Sequence, residues 1–517
     1  MKKNKFLPIL SAVCFFLQLV ATVILLIGVL RLRMLPGKYT ALLMIALLLT
    51  LSLTGLLAFF PTKKPAGGKV RRIIACLLAV VFSTGCVLGF VPLHRVHDTM
   101  QTITNPDNHI QQGPTRQVFV LADDPAQSLT DAKTYVFGTV HGYDEKNTAN
   151  AVRAIEEQLD STVQTTAYAS VYEMVDALYE GKCQAIILNG GYVSILEDAE
   201  GYHDFSPKTR VLCDVAIPEL EPEVPVIQEP DEPVQEPTEP SDPVQEPVET
   251  MEPFIMYVSG SDALSTTLRT GNSDVNILVV VNPQTKQVLL VNTPRDYYIP
   301  NPAGYGELDK LTHCGMYGIK YSVRALEDLY DIRIDYYSQL NFTGFETLVD
   351  AVGGVTVESP VTFTSENVTI YKGENYLNGK EALIFARERY QMPGGDNGRG
   401  KNQMKVIEAI ITKATTGTTI ITNYAQILDS LEGMFVTSME MEDISQLVKM
   451  QLNDMARWEI YSYAVTGANG REITYSIPGY YASVMYMDQG RVVYGTKLIN
   501  RVLDGEIIGK TDVQYPG

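Results

Sequence analysis

Arg387 and Arg389, two positions apart in Phe385-Ala-Arg-Glu-Arg-Tyr390, project from one face if the segment is extended, and two adjacent guanidiniums need an anion between them. A diphosphate meets that need, because arginine forks match phosphate oxygens as lysine does not. The chain continues through Gln391-Met-Pro-Gly-Gly-Asp-Asn-Gly-Arg-Gly400, whose four glycines permit tight turns and close approach of backbone to a ligand. It then enters a helical run in which Gln403, Ile407, Ile410 and Ala414 share one stripe, with Arg399 a turn earlier on the same side. Arg399 and Gln403 are therefore expected at a helix N-terminus, where unpaired N–H groups and the helix dipole favour phosphate. By itself the stretch reads equally well as a solvated charged loop capping an ordinary amphipathic helix.

Carboxylates come from upstream. Asn276-Ile-Leu-Val-Val-Val-Asn282 and Val288-Leu-Leu-Val-Asn292 are strand candidates around the turn Pro283-Gln-Thr-Lys286. A simple hairpin pairs residues whose numbers sum to 569, which sets Asp274 opposite Arg295. Gly260-Ser-Asp262 places a second carboxylate twelve residues before Asp274. Two aspartates among arginines at a sheet end suit Mg²⁺ bridging phosphate oxygens, since that metal takes one or two carboxylates and leaves its other positions to water and substrate. Asp274 and Arg295 alone read equally as a cross-strand ion pair. A base for a hydroxyl nucleophile would be Asp274 or Asp296.

The elements that must position these groups occupy the last part of a 517-residue chain. Residues 1–98 hold three apolar, uncharged stretches, 6–30, 40–60 and 73–91, each near the ~20 residues that cross a bilayer as a helix. Eight cations lie on one side of these spans: Lys2, Lys3, Lys5, Lys63, Lys64, Lys69, Arg71 and Arg72. The other side has Arg31, Arg33, Lys38 and Arg95. That bias predicts a protein of the cell membrane with a cytoplasmic N-terminus and extracytoplasmic C-terminal domains.

Residues 115–217 alternate strand-like and helix-like runs. They predict an accessory α/β domain with a largely parallel sheet, laid out like one lobe of a solute-binding protein, with a helix start at Ser128 to Lys133 and a turn at Asn189-Gly190-Gly191. Residues 218–253 hold ten prolines, twelve acidic residues and no Lys or Arg, which predicts an extended spacer into a cell envelope. At the polyproline rise it would reach about 100 Å. The net charge of −19 less that segment's −12 leaves −7, so the acidity belongs to the tether. A nucleic-acid partner is not expected. Six cysteines make no disulfide framework; Cys183 and Cys213 could pair, leaving Cys314 over, while Cys14, Cys76 and Cys86 fall in the spans. No spacing resembles a zinc site, and His141 and His203 lack partners at ligand spacing.

Residues 254–517 are enough for one substantial core. In chain order they carry Gly260-Ser-Asp262, Gly271-Asn-Ser-Asp274, Asn292-Thr-Pro-Arg-Asp296, Lys310-Leu-Thr-His313, Asn341-Phe-Thr-Gly-Phe345, Val349-Asp-Ala-Val-Gly-Gly-Val355, Leu377-Asn-Gly, Ala386-Arg-Glu-Arg389, and Gly395-Asp-Asn-Gly-Arg399 with Gln403. On these residues the segment resembles the LytR-CpsA-Psr (LCP) family of cell-wall glycopolymer ligases. The resemblance implies a C-terminal α/β LCP-type domain with a mixed central sheet and a deep apolar groove for a polyprenyl tail; with the three N-terminal transmembrane helices and the small α/β domain it makes a multidomain membrane protein.

It also implies a Mg²⁺-dependent phosphotransferase that moves a glycopolymer from undecaprenyl diphosphate to the C6 hydroxyl of peptidoglycan muramic acid, forming a phosphodiester. Its partners would be the polyprenyl-diphosphate-linked glycopolymer, peptidoglycan and the membrane. Carried over residue by residue, Asp262 and Asp274 hold Mg²⁺, and Arg295, Arg387, Arg389, Arg399 and Gln403 grip the diphosphate. The catalytic set is Asp274, Arg295, Arg387 and Arg389. Leu264 and Asn402 stand where the family usually has arginine, which thins the basic lining. His313 would line the site or hold the loop of Lys310. Tyr321 to Tyr330 and Gly344 to Ala351 read as amphipathic helices, and residues 421–517 as further helices with a closing strand near Trp458 to Tyr463. The same site would also serve a lipid-diphosphate hydrolase, and the spans, lobe and tether an envelope-sensing receptor.

Overall fold

The computed structural model describes residues 6–60, 65–104, 115–141, 145–217, 251–261, 268, 271–416, 427 and 430–517. Three helices long and apolar enough to cross a membrane come first: α1 (Phe6–Leu32), α2 (Gly37–Phe59) and α3 (Pro65–Ile103). Their apolar side chains face outward along most of their length, as lipid-facing helices require. α3 continues past residue 91, with Pro92 inside it. The continuation is amphipathic rather than uniformly apolar: Val96, Met100 and Ile103, at helical spacing, are buried in the apolar cluster of the C-terminal domain. A criterion of unbroken hydrophobicity stops where that face begins.

The small domain contains β1 (Thr115–Leu121), β2 (Val136–Val140), α4 (Glu145–Leu159), β3 (Gln164–Tyr168), α5 (Val171–Tyr179), β4 (Ala185–Leu188), α6 (Tyr192–Asp198), α7 (Phe205–Lys208) and β5 (Thr209–Ala216). Its sheet runs β3-β2-β4-β1-β5. β2 pairs in parallel with β3 and β4, but β1 pairs antiparallel with both β4 and β5, so the sheet is mixed rather than largely parallel. The reason lies at Ser128 to Lys133, which forms successive i to i−3 turns instead of a helix. The Asp131 carboxylate closes them by accepting from the amides of Gln127 and Ser128. Without a crossover helix between β1 and β2, nothing requires β1 to run parallel. Cys183 packs into the cluster on one face of this sheet and Cys213 against the cluster on the other, so both stay free thiols.

The C-terminal domain has β6 (Phe254–Ser261), β7 (Val275–Asn282), β8 (Gln287–Asn292), β9 (Tyr298–Pro300), β10 (Leu308–Lys310), α8 (Leu311–Cys314), α9 (Ile319–Tyr330), β11 (Tyr336–Asn341), α10 (Phe342–Ala351), β12 (Val355–Ser359), β13 (Phe363–Ser365), β14 (Val368–Ile370), β15 (Gly373–Leu377), α11 (Gly379–Arg387), α12 (Asp396–Thr415), β16 (Phe435–Thr437), α13 (Met441–Asp454), β17 (Glu459–Ala464), the hairpin β18 (Gly467–Thr474) and β19 (Ile477–Met487), and α14 (Gln489–Leu503). A six-stranded mixed sheet, β16-β11-β6-β7-β8-β17, forms its centre. β7 and β8 are β-branched, buried on both faces, and joined in the expected register: Ile277 opposes Asn292 and Asn282 opposes Gln287. The Asn282 side chain accepts from the amides of Gln284 and Thr285, which closes the turn.

One face of this sheet is covered by α12 and α13. The other carries Tyr257, Leu278, Leu289 and Val291 under α9 and α14, in one continuous apolar cluster with Met174, Leu178, Leu196 and Phe205 of the small domain. The 218–250 part of the tether lies outside the described residues, yet the domains at its two ends share a core. The C-terminal domain also meets the membrane helices, where Arg33 pairs with Glu442 at 2.6 Å and Lys38 Nζ donates to the Asn453 carbonyl at 2.7 Å. In this structure the catalytic candidate sits against its anchor rather than 100 Å away.

Candidate active site

The strand order brings the ends of β6, β8 and β11 and the start of β7 to one edge of the sheet. Asp274 precedes β7 and Arg295 follows β8, and register alone puts them face to face. Arg295 Nη1 donates to Asp274 Oδ1 at 2.6 Å, and Thr312 Oγ1 donates to the same oxygen at 3.2 Å. Both partners of the ion pair are largely buried, with side chains 17 and 11% exposed. Burial opposes the Arg295 charge, but Asp274 and Asp296 outweigh it and hold the guanidinium well above its ordinary pKa.

Asp296 is the second buried acid. Lys310 Nζ lies 2.6 Å from its Oδ1, and Arg295 Nε lies 3.9 Å away. Burial pushes its pKa up, yet Lys310 and then Arg295 push harder, leaving it below the usual carboxylate value. Sequence reasoning missed Thr312 and Lys310 as partners, although both fall in the Lys310-Leu-Thr-His313 motif. It also missed Asp309, which is fully buried and accepts from His313 Nδ1 at 2.6 Å, Ser476 Oγ at 2.5 Å and Asn301 Nδ2 at 2.9 Å. Helical spacing gave no signal for it, because Asp309 lies in β10 and His313 in α8. Through its bond to Asp309, His313 holds the loop of Lys310, the second of its two expected roles.

α12 begins at Asp396, earlier than a helix that follows the glycine-rich loop would, so Gly398 and Gly400 lie inside it. Gly400 is required there, since a Cβ would come within 2.4 Å of Asn292 Nδ2 at the end of β8. That close approach seats Arg399 beside the strand ends. Arg399 pairs with Asp396 at 2.5 Å, and its pKa is lowered by burial and then by the neighbouring charge of Arg295. Gln403 lies one turn on, half-buried. Downstream, the expected stripe divides: Ile407 and Ala414 face the sheet, while Ile410 packs with Val406 into the opposite cluster, so α12 is sandwiched rather than amphipathic.

Arg387 and Arg389 do not share an extended segment. Arg387 is the last residue of α11, and the chain turns extended only at Glu388. The Arg387 guanidinium stacks over Phe342, the first residue after β11, at 4.7 Å, which keeps it at the same sheet edge. Half exposed, it lies 3.8 Å from Glu366. Arg389 stacks on Tyr390 at 4.6 Å. Among the described residues no bond joins either to the Asp274–Arg295 pair. Other motif residues are structural: Asn341 and Asn378 cap α10 and α11, and buried Asn402 donates to the Phe385 carbonyl at 3.1 Å. Asp262 and Leu264 lie outside the described residues.

Behind this edge, α12, α13 and β6 to β8 enclose an apolar cavity of about 320 Å³, lined by Met256, Val279, Ile411, Leu447 and Trp458 among others. As to a metal, Asp274 spends one carboxylate oxygen on Arg295 and Thr312 and keeps Oδ2, a hard donor of the type Mg²⁺ takes. Among the described residues no group of three or more His, Cys, Asp or Glu could hold a metal ion.

Residues 228–488 match the profile of the LytR_cpsA_psr family. A curated relative from Enterococcus faecalis, named polyisoprenyl-teichoic acid–peptidoglycan teichoic acid transferase TagU, is 34% identical over 198 residues, covering 38% of this chain and 65% of the relative. One of the same name from Bacillus licheniformis is 34% identical over 194 residues, covering 37% of this chain and 62% of the relative. The chain thus spans less than two thirds of the length of these relatives. A solved structure of B. subtilis TagV aligns with 25% identity and a TM-score of 0.42, covering 49% of this chain and 98% of that one.

Proposed function

The chain belongs to the LytR_cpsA_psr family, and from that premise we propose that it is a membrane-anchored, extracytoplasmic phosphotransferase that attaches a glycopolymer from a polyprenyl-diphosphate carrier to peptidoglycan muramic acid. One observation carries the reading. α12 sets Arg399 beside the Asp274–Arg295 pair at its start and lines the apolar cavity with Ile411 and Ala414 near its end. Twenty residues of helix span about 30 Å, so a single element matches an amphiphile with a diphosphate head and a long apolar tail. The names of the relatives point to the same chemistry on teichoic acid.

In this reading Arg295 and Arg399, with Arg387 and Arg389 at the rim and Gln403 one turn along, take the diphosphate oxygens. Phosphoryl transfer needs mainly alignment and positive charge where negative charge develops, which fixed guanidiniums supply. The muramic acid C6 oxygen forms a bond to the sugar-bearing phosphorus. The bond from that phosphorus to the bridging oxygen breaks, and polyprenyl monophosphate leaves. Asp296 pairs with Lys310 and Asp274 with Arg295, and the hydroxyl proton passes to one of these two carboxylates. Mg²⁺, held by Asp274 and Asp262, would neutralise phosphate charge when bound. The excess of cations before the first span and between the second and third sets the N-terminus in the cytoplasm.

The test uses the full chain in lipid nanodiscs with Mg²⁺, a polyprenyl-diphosphate oligosaccharide and peptidoglycan fragments. Peptidoglycan gaining the mass of the sugar phosphate supports the transferase. Free sugar phosphate without attachment replaces it with a hydrolase, and lipid binding without turnover replaces it with a sensor.

A further inference from the structure

The small domain is hydrogen-bonded to the C-terminal domain through a short segment, residues 189–194, where the turn after β4 enters α6. Buried Asn189 donates through Nδ2 to the Met316 carbonyl at 2.8 Å and accepts the Gly191 amide on Oδ1 at 3.0 Å. Gly191 lies flush on Met316, since a Cβ there would come within 2.7 Å of its side chain. Tyr192 donates its hydroxyl to the Ser476 carbonyl at 2.7 Å. From the other side, buried Asn272 donates through Nδ2 to the Gly191 carbonyl at 3.1 Å and to Ser194 Oγ at 2.8 Å.

Asn272 stands two residues before Asp274, and the residue between them is locked. Ser273 donates its amide to the Thr312 carbonyl at 3.0 Å, and its hydroxyl meets those of Ser259 at 3.0 Å and Ser322 at 3.2 Å. Gly315, next to Met316, leaves no room: a Cβ on it would sit 2.4 Å from Ser273 Oγ and 2.6 Å from the Gly271 carbonyl. The Asp274 amide then donates to the Gly260 carbonyl at 2.8 Å. The strut to the carboxylate thus runs from 189–194 through Asn272 and Met316 to Ser273 and Asp274. Its base is fixed, because the two domains share an apolar cluster.

We propose that the small domain is a built-in support of the active site, with Asn272 and Ser194 as positioning residues that fix the Asp274 carboxylate against Arg295. This rests on the transferase reading for its kinetic consequence, though not for its structural one. A displacement of about 1 Å in a reacting group costs on the order of a hundredfold in rate.

The experiment compares full-length wild type, Asn272→Ala, Ser194→Ala and the double variant in nanodiscs. Without substrate, amide exchange at Ser273 and Asp274 rises at least about tenfold in each single variant, while exchange in the core strand β7 is unchanged. With substrate, kcat falls about tenfold or more with KM for the lipid diphosphate unaltered, and the double variant falls no further than the worse single one. Unaltered protection at Ser273 and Asp274 overturns the inference, as does a loss of kcat that only follows a loss of folded protein. So does a change confined to KM. If wild type shows no turnover, the transferase reading fails and the exchange measurement alone decides this one.

Discussion

The four arginines expected to grip the diphosphate fall into two groups built in opposite ways. Arg295 and Arg399 are buried, carboxylate-paired and reached by short contacts from strand ends and a helix start. Arg387 and Arg389 stand at the rim on aromatic rings, one at the end of α11 and the other just beyond it, with Glu366 at 3.8 Å the nearest acid to Arg387. The inner pair is part of the fold as much as of the site. The outer pair is chemistry added to a surface, and the two groups should respond differently to every perturbation.

Arg295→Met should show the largest effect. It leaves Asp274 and Asp296 without their shared cation, and breaking a buried pair costs about 3–5 kcal/mol. Urea unfolding should register that loss, and turnover should fall at least about a hundredfold. A stable Arg295→Met protein would merge the two groups. Asp296→Asn should cost about 1–3 kcal/mol at neutral pH by stranding Lys310. The sign of the pH dependence follows from its lowered pKa. The carboxylate contributes stability above the unfolded value of about 3.9, and this is lost as pH falls through the lower folded value. The thermal unfolding gap between wild type and Asp296→Asn should therefore close below about pH 4.

Asn402→Arg, which restores the residue usual in the family, should destabilise by about 1–2 kcal/mol and not raise activity, because Asn402 is buried and caps the last turn of α11. Increased turnover there would show that the basic lining reaches further down α12 than its contacts indicate. Arg387→Ala and Arg389→Ala should leave stability within about 1 kcal/mol, since exposed pairs contribute little. They should raise KM for the lipid diphosphate and flatten its dependence on salt, because part of the screened attraction to phosphate is lost. A loss of stability like that of Arg295→Met would erase the distinction.

The Asp274–Arg295 pair of the inner group was legible in the sequence because a strand register carries it. Once Pro283 to Lys286 is read as a turn, Asp274 must oppose Arg295, and the structure keeps that register. The outer group was legible only as residue types. Arg387 and Arg389 were placed on an extended segment, whereas the capping box at Asn378 and Glu381 starts a helix that runs through Arg387. The partners of Thr312 and Lys310 are not legible in their motif, because their contacts are set by where α8 docks, a tertiary fact no local spacing encodes. The small domain failed in the same way. Its strand β4 and helices α4 and α5 are readable, but β3 is not, and β1 turns antiparallel where a run of turns replaces an expected helix. Its contact with Asn272 lies about 80 positions away in sequence, beyond any pattern.

In the proposed reaction a sugar phosphate changes partners at the Asp274–Arg295 pair. Its most direct test is the mass of peptidoglycan fragments after incubation with a polyprenyl-diphosphate oligosaccharide, Mg²⁺ and either wild-type full chain or Asp274→Asn, with lipid binding measured alongside. Wild type should add the sugar phosphate, and Asp274→Asn should lose that addition while the lipid still binds. Undiminished addition by Asp274→Asn would contradict the proposed reaction site.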